Sequence, residues 1–301
     1  MPLDAATQKT VDKLLSNNAS ADHPEIKDAL AQMEVELKEK LGTSHLLYKD
    51  HQQLRRFLVA RKLKLDETME MINNHMEWRA RMLPVTLTEE VKAELKKGKM
   101  EVYGTDIQGR PLLIVHSGRF DPKERDLDTA IAACVYLIEK TIAENENQTQ
   151  CSIMCTRHVH GHHTRFLFSR SPLTRLLACL LASADDRDGF SFKKNWDFDF
   201  LKTIAKTLSD NYPERLAGVY VHPSSSILAW LWSLIKNFFD GRTRAKVKFI
   251  TSDKELLACV PAEFVAQSQG GTSTHTFDPS IYDVLKVEAV TVVDGKPVEI
   301  S

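Results

Sequence analysis

Net charge is almost absent from this 301-residue chain, in which 40 Lys and Arg face 41 Asp and Glu to leave −1 at pH 7. A partner gripped through its phosphate backbone needs a basic excess, so nucleic acid is not an expected partner. Cysteine is sparse too. The five residues Cys134, Cys151, Cys155, Cys179 and Cys259 are scattered and odd in number, which fits a reducing, cytoplasmic compartment better than a disulfide framework. Residues 1–20 lack an apolar core segment, so no secretory signal is expected. Catalytic signatures are missing as well. No nucleophile-and-base pair stands out, and Gly270-Gly271 is not followed by the Lys of a phosphate loop. The chain is expected to be a non-enzyme without cofactor or catalytic metal. At 34.1 kDa it is long enough to bury a sizeable core in one domain or two.

What the chain does contain is an unusually greasy short segment, HPSSSILAWLWSLIKNFFDGRTRAK, running from His222 to Lys246. Ser224 to Ser226 offer capping hydroxyls, and Gly241 stands where a helix would stop. Between them Ile227, Leu228, Trp230, Leu231, Trp232, Leu234, Ile235, Phe238 and Phe239 wrap more than one face. About thirteen residues cannot cross a hydrocarbon core that needs about twenty. The segment is therefore either a fully buried core helix or one that sometimes meets lipid.

Around it the pattern alternates. Phe198–Leu216 reads as an amphipathic helix running into the turn Asn211-Tyr212-Pro213, Ala217–Val221 as a short strand, and Ala245–Thr251 as another. A strand, helix, strand unit implies a parallel sheet. Upstream, residues 7–21 read as a weakly held polar arm. Pro24–Gly42 and the segment from Leu54 read as helices, and Asp66 as the cap of a third helix ended by Pro84. Asp106–Gly109 is a turn, Pro111–His116 a buried strand, Asp126–Ala143 a helix and Cys151–Met154 the next strand.

Five blocks carry a resemblance: LRRFLVARKLKLDETMEMINNHMEWR (Leu54–Arg79), GRPLLIVHSGRFDP (Gly109–Pro122), YPERLAGVYVHP (Tyr212–Pro223), FFDGRTRAKVKFI (Phe238–Ile250) and VPAEFVAQSQGGT (Val260–Thr272). In this order, across roughly Lys49–Pro279, they resemble the CRAL-TRIO lipid-binding family, and most closely its phosphatidylinositol-transfer branch. The resemblance implies an α/β fold: a helical N-terminal lobe, then a lobe whose mostly parallel sheet floors an apolar lipid pocket covered by a gate helix. It makes Ser225–Phe239 that gate, with Ile227, Trp230, Leu231, Trp232, Leu234, Ile235, Phe238 and Phe239 meeting the membrane. It also implies a headgroup site, in which Arg61 and Lys62 help to hold phosphate, with Glu214, Thr243 and Lys246 completing the site. Chemically these are cations for a phosphate, and a carboxylate and hydroxyl for inositol hydroxyls. Taken singly, Glu214 and Lys246 read equally as an ion pair, and Arg61 and Lys62 as a solvated helix end. Gly270-Gly271 looks like the family's structural turn.

Departures are equally informative. Leu113 stands where the choline-lipid binders of this branch carry a tyrosine, and Gln150 where they carry a serine, although Ser152 keeps a hydroxyl. This removes support for a choline lipid and leaves the inositol lipid. Between Met154 and Asp186 the pattern breaks into a segment rich in His, Arg, Ser and Leu. His158, His160, His162 and His163 superficially match a metallo-hydrolase run, but His162 replaces the aspartate and no second ligand cluster follows. The segment reads as an insertion looping from the sheet edge, or as an intron translated in error, since its removal restores a CSIM-DRDGF junction.

The expected organisation is an arm over 1–23, a helical lobe over 24–84, the lipid-binding domain over 85–279 with the atypical insertion at 155–185, and a tail over 280–301. The expected function is to bind phosphatidylinositol or a related phospholipid and to transfer or present it between membranes. The protein would be a cytoplasmic monomer touching membrane surfaces transiently. The alternatives are a sensor or adaptor for an isoprenoid or sterol-like ligand and, remotely, a zinc hydrolase built on the histidine run.

Overall fold

The computed structural model describes residues 3–17, 19–145, 150–156, 195, 197–224, 232–233, 236 and 241–283, together with the backbone of 291–293 and 296–298. Four helices open the chain: α1 (Ala5–Ser16), α2 (Pro24–Leu41), α3 (His51–Ala60) and α4 (Leu65–Met82). Local chemistry sets their ends. The Asp4 carboxylate accepts from the backbone N–H of Ala6 and Thr7, and the Asp50 carboxylate from that of Gln53. Gly42 follows α2 with φ of 77°, a left-handed value that glycine adopts without steric penalty. Leu15, Ile26, Met33, Leu37, Leu54, Phe57 and Ile72 knit the four helices into one core.

Two expectations are corrected here. The supposed weak arm contains α1, because Val11 and Leu15 fall on one helical face and are fully buried against the lobe. Asp66 does not cap α4. The N-cap is Lys64, without a side-chain bond, and Asp66 lies in the first turn, paired with Lys40 at 2.9 Å.

After α5 (Glu89–Lys96) comes the sheet, with strands β1 (Met100–Thr105), β2 (Pro111–His116), β3 (Cys151–Thr156), β4 (Leu216–His222) and β5 (Val247–Phe249) in the order β1-β2-β3-β4-β5. β1 runs antiparallel to β2, and the other neighbours are parallel. Parallel neighbours need long crossovers. α6 (Leu127–Glu144) lies between β2 and β3, and α7 (Phe198–Asn211) between β3 and β4. Asp126 caps α6 through Thr129 N–H, and Asp197 caps α7 through Phe200 N–H.

Strand alternation then sorts the side chains. Leu112, Ile114, Met154 and Tyr220 pack on one face with Ile250, Leu256, Val260 and Val265. Leu113, Val115, Ile153, Val219, Val221 and Phe249 face the other way and floor a cavity. The register shifts between Cys151, opposite Leu216, and Ser152, opposite Gly218. That irregularity adds a residue to β4, so Leu216 and Val219 both reach the cavity although three positions apart.

Past the greasy segment, Gly241 lies in a helix, α8 (Gly241–Ala245), where a stop was expected. A glycine stop needs a left-handed φ, and Gly241 is not among the glycines that adopt one. α9 (Asp253–Leu257) follows, then the Gly270-Gly271 turn. Gly270 has φ of 79°, and a Cβ on Gly271 would overlap the Val265 carbonyl, so both positions need glycine. Within the segment expected as a tail, β6 (Thr291–Val293) and β7 (Lys296–Val298) pair antiparallel.

Candidate functional site: an apolar cavity with one cationic end

The cavity above the sheet has a volume of about 840 Å³. Its floor comes from β2 to β5, and its walls from Cys134 and Ile138 of α6 and Phe200, Leu201, Ile204 and Leu208 of α7. Apolar side chains dominate this lining, as a site for a hydrocarbon cargo requires. Cys134, Cys151 and Cys155 also line it, and burial pushes their thiols up, that of Cys155 to about 12. They remain protonated and act as small apolar groups.

One end carries a group of charged side chains. Arg61 and Lys62, immediately after α3, line the cavity together with Glu214, Thr243 and Lys246. The structure thus brings together all five residues singled out as headgroup ligands. Lys62 and Glu214 have φ of 53° and 56°, left-handed values that cost a non-glycine residue about 1–3 kcal/mol. Thr243 lies in α8 and its carbonyl accepts from Lys246 N–H at 3.1 Å, which holds the two residues in one turn. Gln150 Nε2 donates to the Glu214 carbonyl at 3.2 Å and supports the same turn.

The main partner of Glu214 was not foreseen. Arg242 donates Nε to Oε1 at 3.0 Å and Nη2 to Oε2 at 3.1 Å, a forked pair, while Lys246 Nζ stands 3.7 Å from Oε2. Arg215 also lines the cavity. Its Nη2 and Arg56 Nη1 share Gln53 Oε1 at 3.3 and 3.0 Å. Burial, reinforced by Arg215, lowers Arg56 to about 10, and burial also lowers Arg215. Neither forms an ion pair among the described residues, although the charges of Glu139 and Asp50 act on Arg215 and that of Asp50 on Arg56. Arg215 could have been picked out beside Glu214 in the YPER block; Arg242 had no signal beyond adjacency to Thr243.

Other expectations resolve residue by residue. Leu113 lines the cavity, without a hydroxyl, as anticipated. Ser152 does not serve the cavity: alternation turns it to the opposite face, where its hydroxyl donates to Asp106 Oδ2 at 2.7 Å. Cys155 and Thr156, assigned to the insertion, pair within β3 against β2 and β4. Trp232 lines the cavity, its ring 6.2 Å from that of Phe249. The remaining gate residues Ile227, Trp230, Leu231, Leu234, Ile235, Phe238 and Phe239 lie outside the described residues, as does the run from His158 to His163. Among the described residues no cluster of three or more His, Cys, Asp or Glu could hold a metal, and no helix is long and apolar enough to cross a membrane.

A profile of the CRAL/TRIO domain matches residues 95–183 and 185–271. The chain belongs to the CRAL/TRIO family. Among its relatives, the phosphatidylinositol/phosphatidylcholine transfer protein SFH9 of Arabidopsis thaliana is 26% identical over 207 residues, 66% of this chain and 32% of that protein. The phosphatidylinositol transfer protein CSR1 of Eremothecium gossypii is 25% identical over 238 residues, 75% of this chain and 48% of that protein. The CRAL/TRIO chain described here thus spans between 32% and 48% of the length of these two relatives. A crystal structure of Sfh5 superposes with a TM-score of 0.54 over 98% of this chain and 96% of that one, at 17% identity, which establishes a shared fold.

Proposed function

We propose that this protein binds phosphatidylinositol or a related phospholipid, with the headgroup at the cationic end of the cavity and the acyl chains along its apolar floor, and transfers or presents it between membranes. The observation that carries the reading is the convergence of Arg61, Lys62, Glu214, Thr243 and Lys246 on one end of a predominantly apolar cavity. Arg61, Lys62 and Lys246 suit a phosphodiester, and Glu214 and Thr243 suit inositol hydroxyls.

The apolar walls answer the energetic problem of such a cargo. Two acyl chains present some thirty methylenes, and at about 0.8 kcal/mol each their exposure to water costs on the order of 20 kcal/mol. A carrier must supply an apolar surround before the lipid leaves the bilayer. The names of the relatives, one a phosphatidylinositol/phosphatidylcholine transfer protein and the other a phosphatidylinositol transfer protein, support a phospholipid cargo, and Leu113 in place of a hydroxyl supports an inositol over a choline lipid. Carriage of this kind involves no bond-making. The protein would act as a monomer in the cytoplasm, meeting membranes transiently through the segment that contains Trp232. The test is exchange of labelled phosphatidylinositol between donor and acceptor vesicles. Accelerated exchange is expected, and exchange no faster than without protein, with no lipid retained in solution, would remove the reading.

A further inference from the structure

The C-terminal end of α1 stands over the cationic end of the cavity. Leu15 and Ser16 line the cavity beside Arg61, Lys62, Glu214 and Arg242. While Nε and Nη2 of Arg242 hold Glu214, its Nη1 donates to the Leu15 carbonyl at 3.4 Å and the Ala19 carbonyl at 3.2 Å. Lys62 Nζ donates to Ser16 Oγ at 3.0 Å, and Gln8 Nε2 donates to the Lys62 carbonyl at 2.8 Å. Two cations of this end are therefore engaged by α1 itself. A helix C-terminus concentrates unpaired carbonyls and partial negative charge, which is what an anionic headgroup also offers.

We propose that α1 is a cover over the headgroup end of the cavity, and that Arg242 is the positioning residue at which this cover and an anionic headgroup compete. The proposal rests on the headgroup reading of that end. Val11 and Leu15, fully buried, anchor the cover to the lobe. The polar contacts around Arg242 and Lys62 form its edge. Neutral carbonyls are weaker acceptors than a phosphate, since charge-assisted hydrogen bonds are roughly twice as strong as neutral ones. An arriving phosphate therefore draws Arg242 and Lys62 away from α1 and loosens it, and α1 settles again when the headgroup leaves. Arg242 carries this coupling because one guanidinium touches both Glu214 and the end of α1.

Cys151 gives a reading of the cover that needs no lipid. It lines the cavity, and its N–H bonds the carbonyl of Arg215, the neighbour of Glu214. Its alkylation by N-ethylmaleimide in the full-length protein can be followed by peptide mass spectrometry, with Cys259, which is not among the cavity-lining residues, as reference. Leu15→Asp should speed Cys151 modification by about tenfold or more relative to Cys259, since one buried leucine represents at least that factor. The gentler double variant Gln8→Ala with Ser16→Ala, which leaves the core intact, should speed it by about fivefold, the low-end worth of the two exposed hydrogen bonds it removes. Unchanged Cys151 rates in both variants, with amide exchange showing α1 released, would overturn the cover.

For the competition, amide hydrogen exchange over residues 5–16 of the unaltered protein should rise with phosphatidylinositol vesicles and not with phosphatidylcholine vesicles. Equal exchange with both, in protein that has taken up phosphatidylinositol, overturns the competition. Failure to take up phosphatidylinositol at all overturns the functional reading and the competition with it, while the Cys151 rates still decide the cover.

Discussion

Removal of the Glu214 carboxylate is the most direct perturbation of the headgroup site. Its two oxygens accept the forked pair from Arg242 at 3.0 and 3.1 Å, and Lys246 stands 3.7 Å away. The Glu214 side chain retains only 18% of its exposure, so the pair is neither fully solvated nor fully buried. Breaking a buried pair costs about 3–5 kcal/mol and an exposed one at most about 1. Glu214→Ala should therefore destabilise the fold by about 1–2 kcal/mol, because Arg242 keeps the Leu15 and Ala19 carbonyls as partners. The melting temperature should fall by only a few degrees. Transfer should suffer more. The inositol hydroxyls lose a charged acceptor worth about 1.5–3 kcal/mol, a loss of roughly ten- to a hundredfold in headgroup affinity. The assay is vesicle-to-vesicle exchange of labelled phosphatidylinositol, run beside thermal unfolding, with Lys246→Ala as the companion variant expected to fall similarly. Undiminished exchange in both, with melting temperatures showing an intact fold, would refute the headgroup assignment.

Filling the floor should separate cargo from fold. Ile153→Trp projects into the cavity from the middle of β3 and should sharply reduce the lipid retained by purified protein while near-native circular dichroism persists; full retention would mean that the acyl chains lie elsewhere. His75, bonded to Asn211 at 3.1 Å and packed between Phe57 and Trp78, is driven down by burial from 6.5 to about 4. Between those pH values the unfolded chain binds a proton that the native state refuses, so stability should fall by about 1.4 kcal/mol per pH unit as pH drops from 6.5 towards 4. Urea titrations across this range should show a shallower fall in His75→Gln, and identical slopes would contradict the assignment. Deleting residues 157–185, which leaves β3 whole, should preserve soluble protein with a melting temperature within a few degrees; insoluble protein would show that the segment belongs to the core.

The parallel sheet and the helices that bracket it were legible because their signals are local. PLLIVH is a continuous apolar run and forms β2 over Pro111–His116, and Asp126 caps α6 as its position suggests. α1 was not legible. Its AATQKTVDKLLS is mostly polar, and the burial of Val11 and Leu15 depends on partners far along the chain. β1, MEVYGT, is half-buried and lacks a strong alternation, so only its pairing with β2 identifies it. The five headgroup candidates emerged from motif resemblance, whereas Arg242 reaches Glu214 across 28 positions, a contact that no spacing rule encodes. The facing of Ser152 was readable: it alternates with Cys151 and Ile153, both of which line the cavity.

What the protein carries can be weighed directly. Purified full-length protein, sprayed intact in native mass spectrometry and then extracted with organic solvent, should show one bound phospholipid per chain, with fragments containing inositol phosphate. Enrichment of that species over phosphatidylcholine, together with its loss in Glu214→Ala, is the result expected from a cavity with an inositol-selective cationic end. Protein that carries instead a sterol or isoprenoid, with no phospholipid under any loading condition, would contradict the account at its centre.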